Sequence, residues 1–383
     1  MYISIIDSLD KIAAAQWNSL AGNHFPFLRH EFLSALEHSG CTTHATGWQP
    51  QHLVMHAHGK MQGPLIGAVP MYLKTHSYGE YVFDWAWANA YARAGMNYYP
   101  KVVMAIPFTP ATGPRLLIAA DQSRPEIAQK LIVGARAYAQ QIDASSIHWL
   151  FPTAEETQWL EHAGLMRRIG CQFHWENKGY ADFDAFLDSF SAQKRKKLKR
   201  ERRYVSEAQI QMEVLTGPDL TTADWDTFYA FYRATTAKHG AIAYLTRAFF
   251  QEIGKTMAQD IILIFARHED RHVAGALNFR GADILYGRYW GALENFHSLH
   301  FETCYYRAIE YCIAHGLKRF EAGAQGEHKL SRGFLPSPTY SAHWLSHPEF
   351  SQAVADFLCR ENNGVEYYMN ELSDHSPFKN HCV

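Results

Sequence analysis

Apolar and polar positions along this chain follow an order that occurs twice. Trp17-Asn-Ser-Leu precedes Phe27-Leu-Arg-His-Glu-Phe-Leu-Ser-Ala-Leu36, and both stretches carry apolar residues at helical spacing. About 210 residues later, Trp225-Asp-Thr-Phe precedes Tyr244-Leu-Thr-Arg-Ala-Phe-Phe-Gln-Glu-Ile253 in the same way. An apolar run, a polar turn and a second apolar run follow each pair. In the first copy these are Leu53–Ala57, His58–Gly63 and Leu65–Val69. In the second they are Ile261–Ala266, His268–Arg271 and Val273–Leu277. Repeats of solenoid proteins run about 20–50 residues, so this spacing implies two similar domains.

In the first half the pattern predicts helices over 11–20 and 29–38, a hairpin at 52–57 and 65–73, and a third strand, Tyr81-Val-Phe-Asp-Trp-Ala-Trp87. A long irregular stretch (89–115), a helix at 122–142 and a strand at 146–151 follow. In the second half it predicts helices at 221–238, 246–258 and 299–315, the last stopped by Gly316. Strands are expected at 261–266, 272–280, 283–290 and 319–323, with a helical tail near 348–372. Strand–helix–strand order implies mixed sheets with crossover helices. The expected division is a domain over 1–178, a basic helical connector over 179–210 and a domain over 211–383.

At 383 residues and 47% hydrophobic, the chain can bury substantial cores. Its net charge of −2 makes any polyanion binding local. Six cysteines without a C-x-x-C pair argue against a disulfide framework or zinc site. The first residues lack a signal-peptide pattern and no apolar run is long enough to span a membrane, so a cytoplasmic location is expected. G-x-G-x-x-G, Walker A, H-E-x-x-H and G-x-S-x-G motifs are absent. Neither a metal nor a required cofactor is expected.

The densest polar cluster is Arg319-Phe-Glu-Ala-Gly-Ala-Gln-Gly-Glu-His-Lys-Leu-Ser-Arg332. Ligands of open α/β sheets bind just beyond strand ends. Glu321 and His328 are therefore candidate proton acceptors, with Gln325, Lys329 and Arg332 as substrate-binding groups. Alternation places Arg288 and Trp290 on one face of the preceding strand and Tyr289 on the other. His300, Glu302 and Tyr306 open the next helix and are expected to face the same strand ends, and Arg288, Tyr289, Trp290 and Glu302 are further substrate-binding candidates. In the first half, Asp84 between Phe83 and Trp85 is a candidate acid–base with a raised pKa. Arg93, Tyr98, Lys101 and Arg115 belong to the irregular stretch and could hold anionic groups. Between the halves, Lys194-Arg-Lys-Lys-Leu-Lys-Arg-Glu-Arg-Arg203 carries eight cations in ten residues. Lys194, Lys196, Lys197, Arg200 and Arg203 are candidate ligands for donor phosphates.

Several stretches resemble one family. They are Trp85-Ala-Trp-Ala-Asn-Ala-Tyr-Ala-Arg-Ala-Gly95, Tyr98-Tyr-Pro-Lys101, Pro107-Phe-Thr-Pro-Ala-Thr-Gly-Pro-Arg115, Gln172-Phe-His-Trp175, His239-Gly, Ala243-Tyr-Leu-Thr-Arg247, Gly287-Arg-Tyr-Trp290, Leu299-His-Phe-Glu302 and Glu321-Ala-Gly-Ala-Gln-Gly-Glu-His-Lys329. Together they resemble the FemAB-like N-acyltransferases, a branch of the GNAT superfamily labelled for peptidoglycan biosynthesis. The resemblance adds His239 and Tyr244 to the substrate-binding candidates. It implies an α/β (α+β) fold of two tandem GNAT-like domains, each a mixed sheet with packed helices. It also implies transfer of an acyl or aminoacyl group to an amine, since Fem ligases transfer amino acids from aminoacyl-tRNA to a cell-wall precursor peptide. The acetyl-CoA signature Q/R-x-x-G-x-G/A is missing from both halves, which disfavours acetyl-CoA as donor, and the expected donor is aminoacyl-tRNA or an acyl-CoA with a larger acyl group. The alternative is a non-catalytic module binding RNA or a nucleotide-linked ligand through the basic run.

Overall fold

The computed structural model describes residues 1–57, 63–324 and 326–379. Residues 58–62 in the turn of the first expected hairpin and Gln325 lie outside the described residues. The chain forms two compact units, Met1–Cys171 with Pro338–Tyr368 and Gln172–Ser337 with Met369–Val383.

The first unit begins with β1 (Tyr2–Ile6), α1 (Ala14–Ala21) and α2 (His30–His38). Next come β2 (Trp48–Pro50), β3 (His52–His56), β4 (Leu65–Val69), β5 (Met71–Lys74), α3 (Trp85–Arg93) and β6 (Lys101–Met104). β7 (Leu117–Ile118), α4 (Arg124–Gln141), β8 (Ser146–Leu150) and α5 (Ala154–His162) follow. One sheet has the order β1-β3-β4-β7. In a second, β2, β5, β6 and β8 are neighbours, and β6 runs parallel to β8. The apolar stripe of α4 (Ile127, Leu131, Ala135) packs into one core with Leu53, Val69, Met104 and Trp149.

The hydrophobic pattern does not single out β1, β2, β6 or β7, nor the longer β9 (Met166–Glu176), β10 (Gln211–Thr216) and β15 (Leu335–Leu345). β15 begins Leu-Pro-Ser-Pro, and prolines read as breakers. Its Ser341–Leu345 portion pairs with β8, completing the first unit with chain from near the C-terminus. Residues 338–368, expected with the C-terminal domain, accordingly pack in the first unit.

The second unit holds α6 (Phe183–Asp188), α7 (Ala192–Glu207), α8 (Thr222–Lys238) and α9 (Arg247–Thr256). Its strands include β11 (Ile261–His268), β12 (Arg271–Arg280) and β13 (Ile284–Ala292). The helical run Leu299–Ala314 comprises α10 (Leu299–Phe301), a π-helical turn (Glu302–Tyr306) and α11 (Arg307–Ala314). β14 (Arg319–Glu321) and a 3-10 segment (Glu327–Arg332) come last; α12 (Pro348–Asp374) belongs to the first unit up to Tyr368. The sheet runs β10-β11-β12-β13-β14-β9. α6 and α7 are part of this unit's core rather than a free connector, because Phe183, Phe186, Leu187 and Leu198 pack with Ile264, Leu285 and Phe320. α8 crosses β13 so closely that a Cβ at Gly291 would meet the Phe231 backbone at 2.2 Å. No helix among the described residues is long and apolar enough to cross a membrane.

The expected third strand over Tyr81–Trp87 fails. Residues 85–93 are helical, with Asp84 at the N-cap position. Trp-Ala-Trp-Ala alternates like a strand, but the run is rich in alanine, the best helix former. Residues 89–115 are irregular apart from the end of α3 and the short β6, as expected.

The first unit also buries a continuous polar chain. His148 Nδ1 meets His343 Nδ1 at 2.7 Å, with Ser146 and Ser341 on their Nε2 atoms at 2.7 and 2.8 Å. Burial lowers the His148 pKa to about 3, with the Lys101 charge adding to the effect, and drives His343 well below its usual value. Both rings are therefore neutral when folded and titrate near 6.5 when unfolded. The stability they confer is complete above pH 6.5 and is lost as pH falls toward 3, by up to about 1.4 kcal/mol per pH unit per ring. Burial also raises Glu80 to about 7, which acts in the opposite sense between 4.5 and 7. The check is therefore comparative. Urea midpoints between pH 7 and 4 should fall less steeply in His148→Gln than in the unaltered protein.

Candidate functional site

In the second unit, β13 and β14 run parallel for three residue pairs only, ending at Tyr286 and Glu321. β13 continues to Ala292 while β14 stops, so the strands part. β13 also carries a bulge. Leu277 pairs with Tyr289 and Asn278 with Gly287, leaving Arg288 as the extra residue. A bulge breaks the two-residue alternation, so Arg288, Tyr289 and Trp290 all reach one pocket. That pocket, of about 90 Å³, is also lined by Ala276, Asn278, His300, Cys304, Tyr305 and Ala322.

The π-helical turn decides which aromatic residue faces it. An i→i+5 turn adds a residue to the helix and shifts the side-chain phase. Tyr305 lines the pocket, and its hydroxyl meets His328 Nε2 at 2.8 Å. Tyr306, expected at the strand ends, instead donates its hydroxyl to the buried Glu201 carboxylate. Glu302 is likewise committed elsewhere, to Arg202 at 3.0 Å and Arg307 at 2.8 Å, and does not line the pocket.

Lys329 is 1% exposed, and its Nζ donates to the Gly323 carbonyl at 2.7 Å. Among the described residues no carboxylate pairs with it. Burial brings its pKa down to about 7, opposed by the Cys304 thiol and assisted by the Arg288 charge. Burial brings His300 to about 4, and burial with the Arg332 and Lys329 charges also lowers His328. Both imidazoles are neutral at pH 7, so His328 can accept a proton. Glu321 sits on β14 with its carboxylate 3.9 Å from His174 Nε2 and is not among the pocket-lining residues.

Arg332 is not a free anion clamp. Its guanidinium holds Glu201 at 2.8 and 3.2 Å, donates to the His328 carbonyl at 2.7 Å and lies 3.4 Å over the Phe301 ring. An adjacent pocket of about 120 Å³ is lined by Lys238, His239, Asn295 and Phe296 and shares Trp290 and His300 with the first. Tyr244 is half-buried in the segment ahead of α9.

The basic helix α7 sorts its cations. Arg195, Lys199, Arg202 and Arg203 pair with Asp188, Asp184, Glu302 and Glu207. Arg203 is thus removed from the expected phosphate set. Lys194, Lys196, Lys197 and Arg200 have no ion pair among the described residues, and with Gln193 they line a groove of about 320 Å³.

Of the first-unit candidates, Asp84, Tyr98, Lys101 and Arg115 are buried in protein hydrogen-bond networks. Asp84 takes hydrogen bonds from Lys101 and, at 2.6 Å, from Tyr98. Burial pushes its carboxyl upward, but the Lys101 charge and hydrogen bond outweigh burial and hold it well below the carboxylate range. The expected raised pKa is therefore reversed. Lys101 is fully buried, reaches Ser77 and Glu80 at 2.8 Å each, and is held above its usual value by both carboxylates against the effect of burial. Tyr98 lies inside this network. Arg115, also fully buried, donates to the carbonyls of Ala111, Gly113, Pro114 and Leu150. Arg93 is exposed in the last turn of α3.

A model described as FemAB-like, peptidoglycan biosynthesis/recognition, matches residues 8–380. The chain belongs to the FemAB-like family. Among solved structures, this FemAB-like chain is similar to FemX, at 12% identity and a TM-score of 0.54 over 90% of this chain and 98% of that one. It is also similar to L-PGS from Bacillus licheniformis, at 10% identity and a TM-score of 0.50 over 89% and 98%. A tandem GNAT protein from the clavulanic acid biosynthesis pathway aligns over 90% and 98%, at 11% identity and a TM-score of 0.47. No curated protein matches in sequence. Each unit of this FemAB-like chain is mixed α/β, and the fold is similar to that of FemX over 90% of the chain.

Two substitutions separate scaffold from site. Glu201→Gln leaves the buried Arg332 charge poorly compensated and should cost about 3–5 kcal/mol in urea unfolding. Lys329→Met removes a buried ammonium that has no carboxylate partner among the described residues. It should leave the unfolding free energy at pH 7 unchanged or raise it.

Proposed function

We propose that this FemAB-like protein is an N-acyltransferase whose working site is the second-unit pocket. An acceptor amine attacks the carbonyl of an activated ester or thioester. The new C–N bond forms, the C–O or C–S bond breaks, and the amine proton leaves to a base. The observation that carries this reading is the parting of β13 from β14, with the buried Lys329 bonded to the Gly323 carbonyl just past the end of β14. This opening beyond paired strands can admit a carbonyl beside a buried cation. A low-dielectric cation aimed at a developing oxyanion is worth more there than in water. Neutral His328, reached through the Tyr305 hydroxyl, is the proton acceptor, a role it suits better than Glu321. In the first unit, Arg115 donates to Leu150 at the end of β8, and Glu156 caps the Arg115 and Leu116 amides at 2.8–2.9 Å. The region just past paired β6 and β8 is filled there by the protein's own side chains, which supports a single working site.

Lys194, Lys196, Lys197 and Arg200 bind donor phosphates, in either an aminoacyl-tRNA or an acyl-CoA. The four unpaired cations also favour a second reading, a polyanion-binding module without chemistry.

The test incubates the protein with a charged tRNA pool or acyl-CoAs and a UDP-linked muropeptide. Mass spectrometry should find one acyl or aminoacyl mass on the acceptor amine. Lys329→Met should lower transfer by about 10²–10³-fold at unchanged stability. If transfer persists in that variant, the second-unit site is wrong. Changing all four groove cations to Gln should weaken donor binding and flatten its salt dependence, by about 0.7–0.9 in log–log slope per lost phosphate contact. The same variant should still transfer from a small donor lacking phosphates. The binding-module reading expects no transfer from any donor.

A further inference from the structure

The two second-unit pockets meet at one aromatic pair. Trp290 and His300 line both, with ring centroids 5.3 Å apart at an interplanar angle of 79°. Resting on the acyl-transfer reading above, we infer that Trp290 and His300 form a partition that limits the acyl group to a few heavy atoms.

The partition is rigid on both sides. Trp290 packs against the cluster of Val205, Ile210, Val273 and Leu299. His300 is enclosed by edge contacts to Phe301 and Tyr305 at 5.5 and 5.4 Å. Burial keeps the His300 ring neutral, so no charge draws it into water. The chamber on the Tyr305 side holds about 90 Å³, the liquid volume of about three waters. Its floor is made of the small residues Ala276, Gly287 and Ala322. That space fits a two- or three-carbon acyl group or its amino derivative and excludes a long chain. The chamber on the other side is the wider one and is rimmed by Lys238, His239, Glu294 and Asn295. Its polar rim suits the rest of a substrate, not an alkyl tail. The partition therefore sets acyl length, and removing it joins the two spaces.

S-acyl pantetheines from acetyl to octanoyl test this by calorimetry on the unaltered protein, Trp290→Ala, Trp290→Phe and His300→Ala. The unaltered protein should bind acetyl and propionyl forms and lose at least tenfold in affinity by hexanoyl. Trp290→Ala and His300→Ala should bind hexanoyl at least tenfold more tightly than the unaltered protein does. Trp290→Phe, which keeps an aromatic packed on the cluster, covers the case in which the alanine variant does not fold, and should shift the preference by one or two carbons. An unchanged length profile in folded variants that still bind acetyl overturns the partition and leaves the acyl-transfer reading standing. If no thioester binds to any of the proteins while aminoacyl transfer is observed, the same series run with glycyl, alanyl and leucyl esters decides the partition by the same criterion. If neither series binds and no transfer occurs, both the partition and the site it rests on fall.

Discussion

The second unit depends on one carboxylate. Glu201 is the sole acid within the basic run Lys194–Arg203, and it faces inward with Leu198 and Val205 along one stripe of α7. It takes two hydrogen bonds from Arg332 and one from Tyr306. Those contacts tie together three elements distant in sequence: the basic helix, the π-helical turn and the 3-10 segment after β14. Charge-assisted, two-pronged bonds of this kind fix orientation as well as distance. With Arg332 fixed, Lys329 sits one turn back in the same segment, directed at Gly323 rather than at solvent. With α7 held by its inner stripe, its outer cations are presented as a row. A helix this rich in like charges would repel itself in isolation. Its buried acid and the external partners of Arg195, Lys199 and Arg202 make it stable.

Buried cations in the two units range from closely paired to nearly alone. In the first, Lys74 is fully buried with the Tyr78 carbonyl at 3.2 Å and a Glu80 oxygen at 4.0 Å, and burial lowers it to about 7, whereas two other buried cations are held closely. Lys101 has two carboxylates, and Arg115 has a cage of carbonyls. Such networks resist change, because removing one member strands the rest in a low dielectric. In the second, Lys329 is buried with a single carbonyl as partner, and its proton is loosely held near neutrality. A cation left in that state is costly to the fold, and strained or under-compensated groups concentrate at working sites.

Much of the architecture was legible. The helix-helix-hairpin repeat at a spacing of about 210 residues corresponds to α1, α2, β3 and β4 against α8, α9, β11 and β12, because amphipathic period and turn residues are local signals. Strands that complete a sheet from a distant part of the chain were not legible. β15 looks like a proline-rich loop until β8 supplies its partner. α3 shows the opposite failure, an alternation that fits a strand but is overridden by alanine-rich helix propensity. Candidate cations divided in the same way. A sequence shows that Arg115, Arg332 and Arg203 are charged, but not that each already holds a protein partner. That information lies in tertiary contacts.

The pocket itself comes from two departures from regular geometry, each a single extra residue. At Arg288 the added residue lies in a strand; at Glu302–Tyr306 the added residue widens a helical turn. A period-2 reading of β13 puts Tyr289 on the face opposite Arg288 and Trp290, and a 3.6-residue reading of the helix turns Tyr306 to the strand ends. Both readings fail by one position. Because side-chain phase is cumulative, one residue is enough to exchange Tyr306 for Tyr305 and to bring three consecutive β13 side chains around one space. Regular strands and helices would close that space by packing. The irregularities hold it open, and they occur only where β13 has already parted from β14. The site is thus specified less by which residues are present than by where the backbone interrupts its own period.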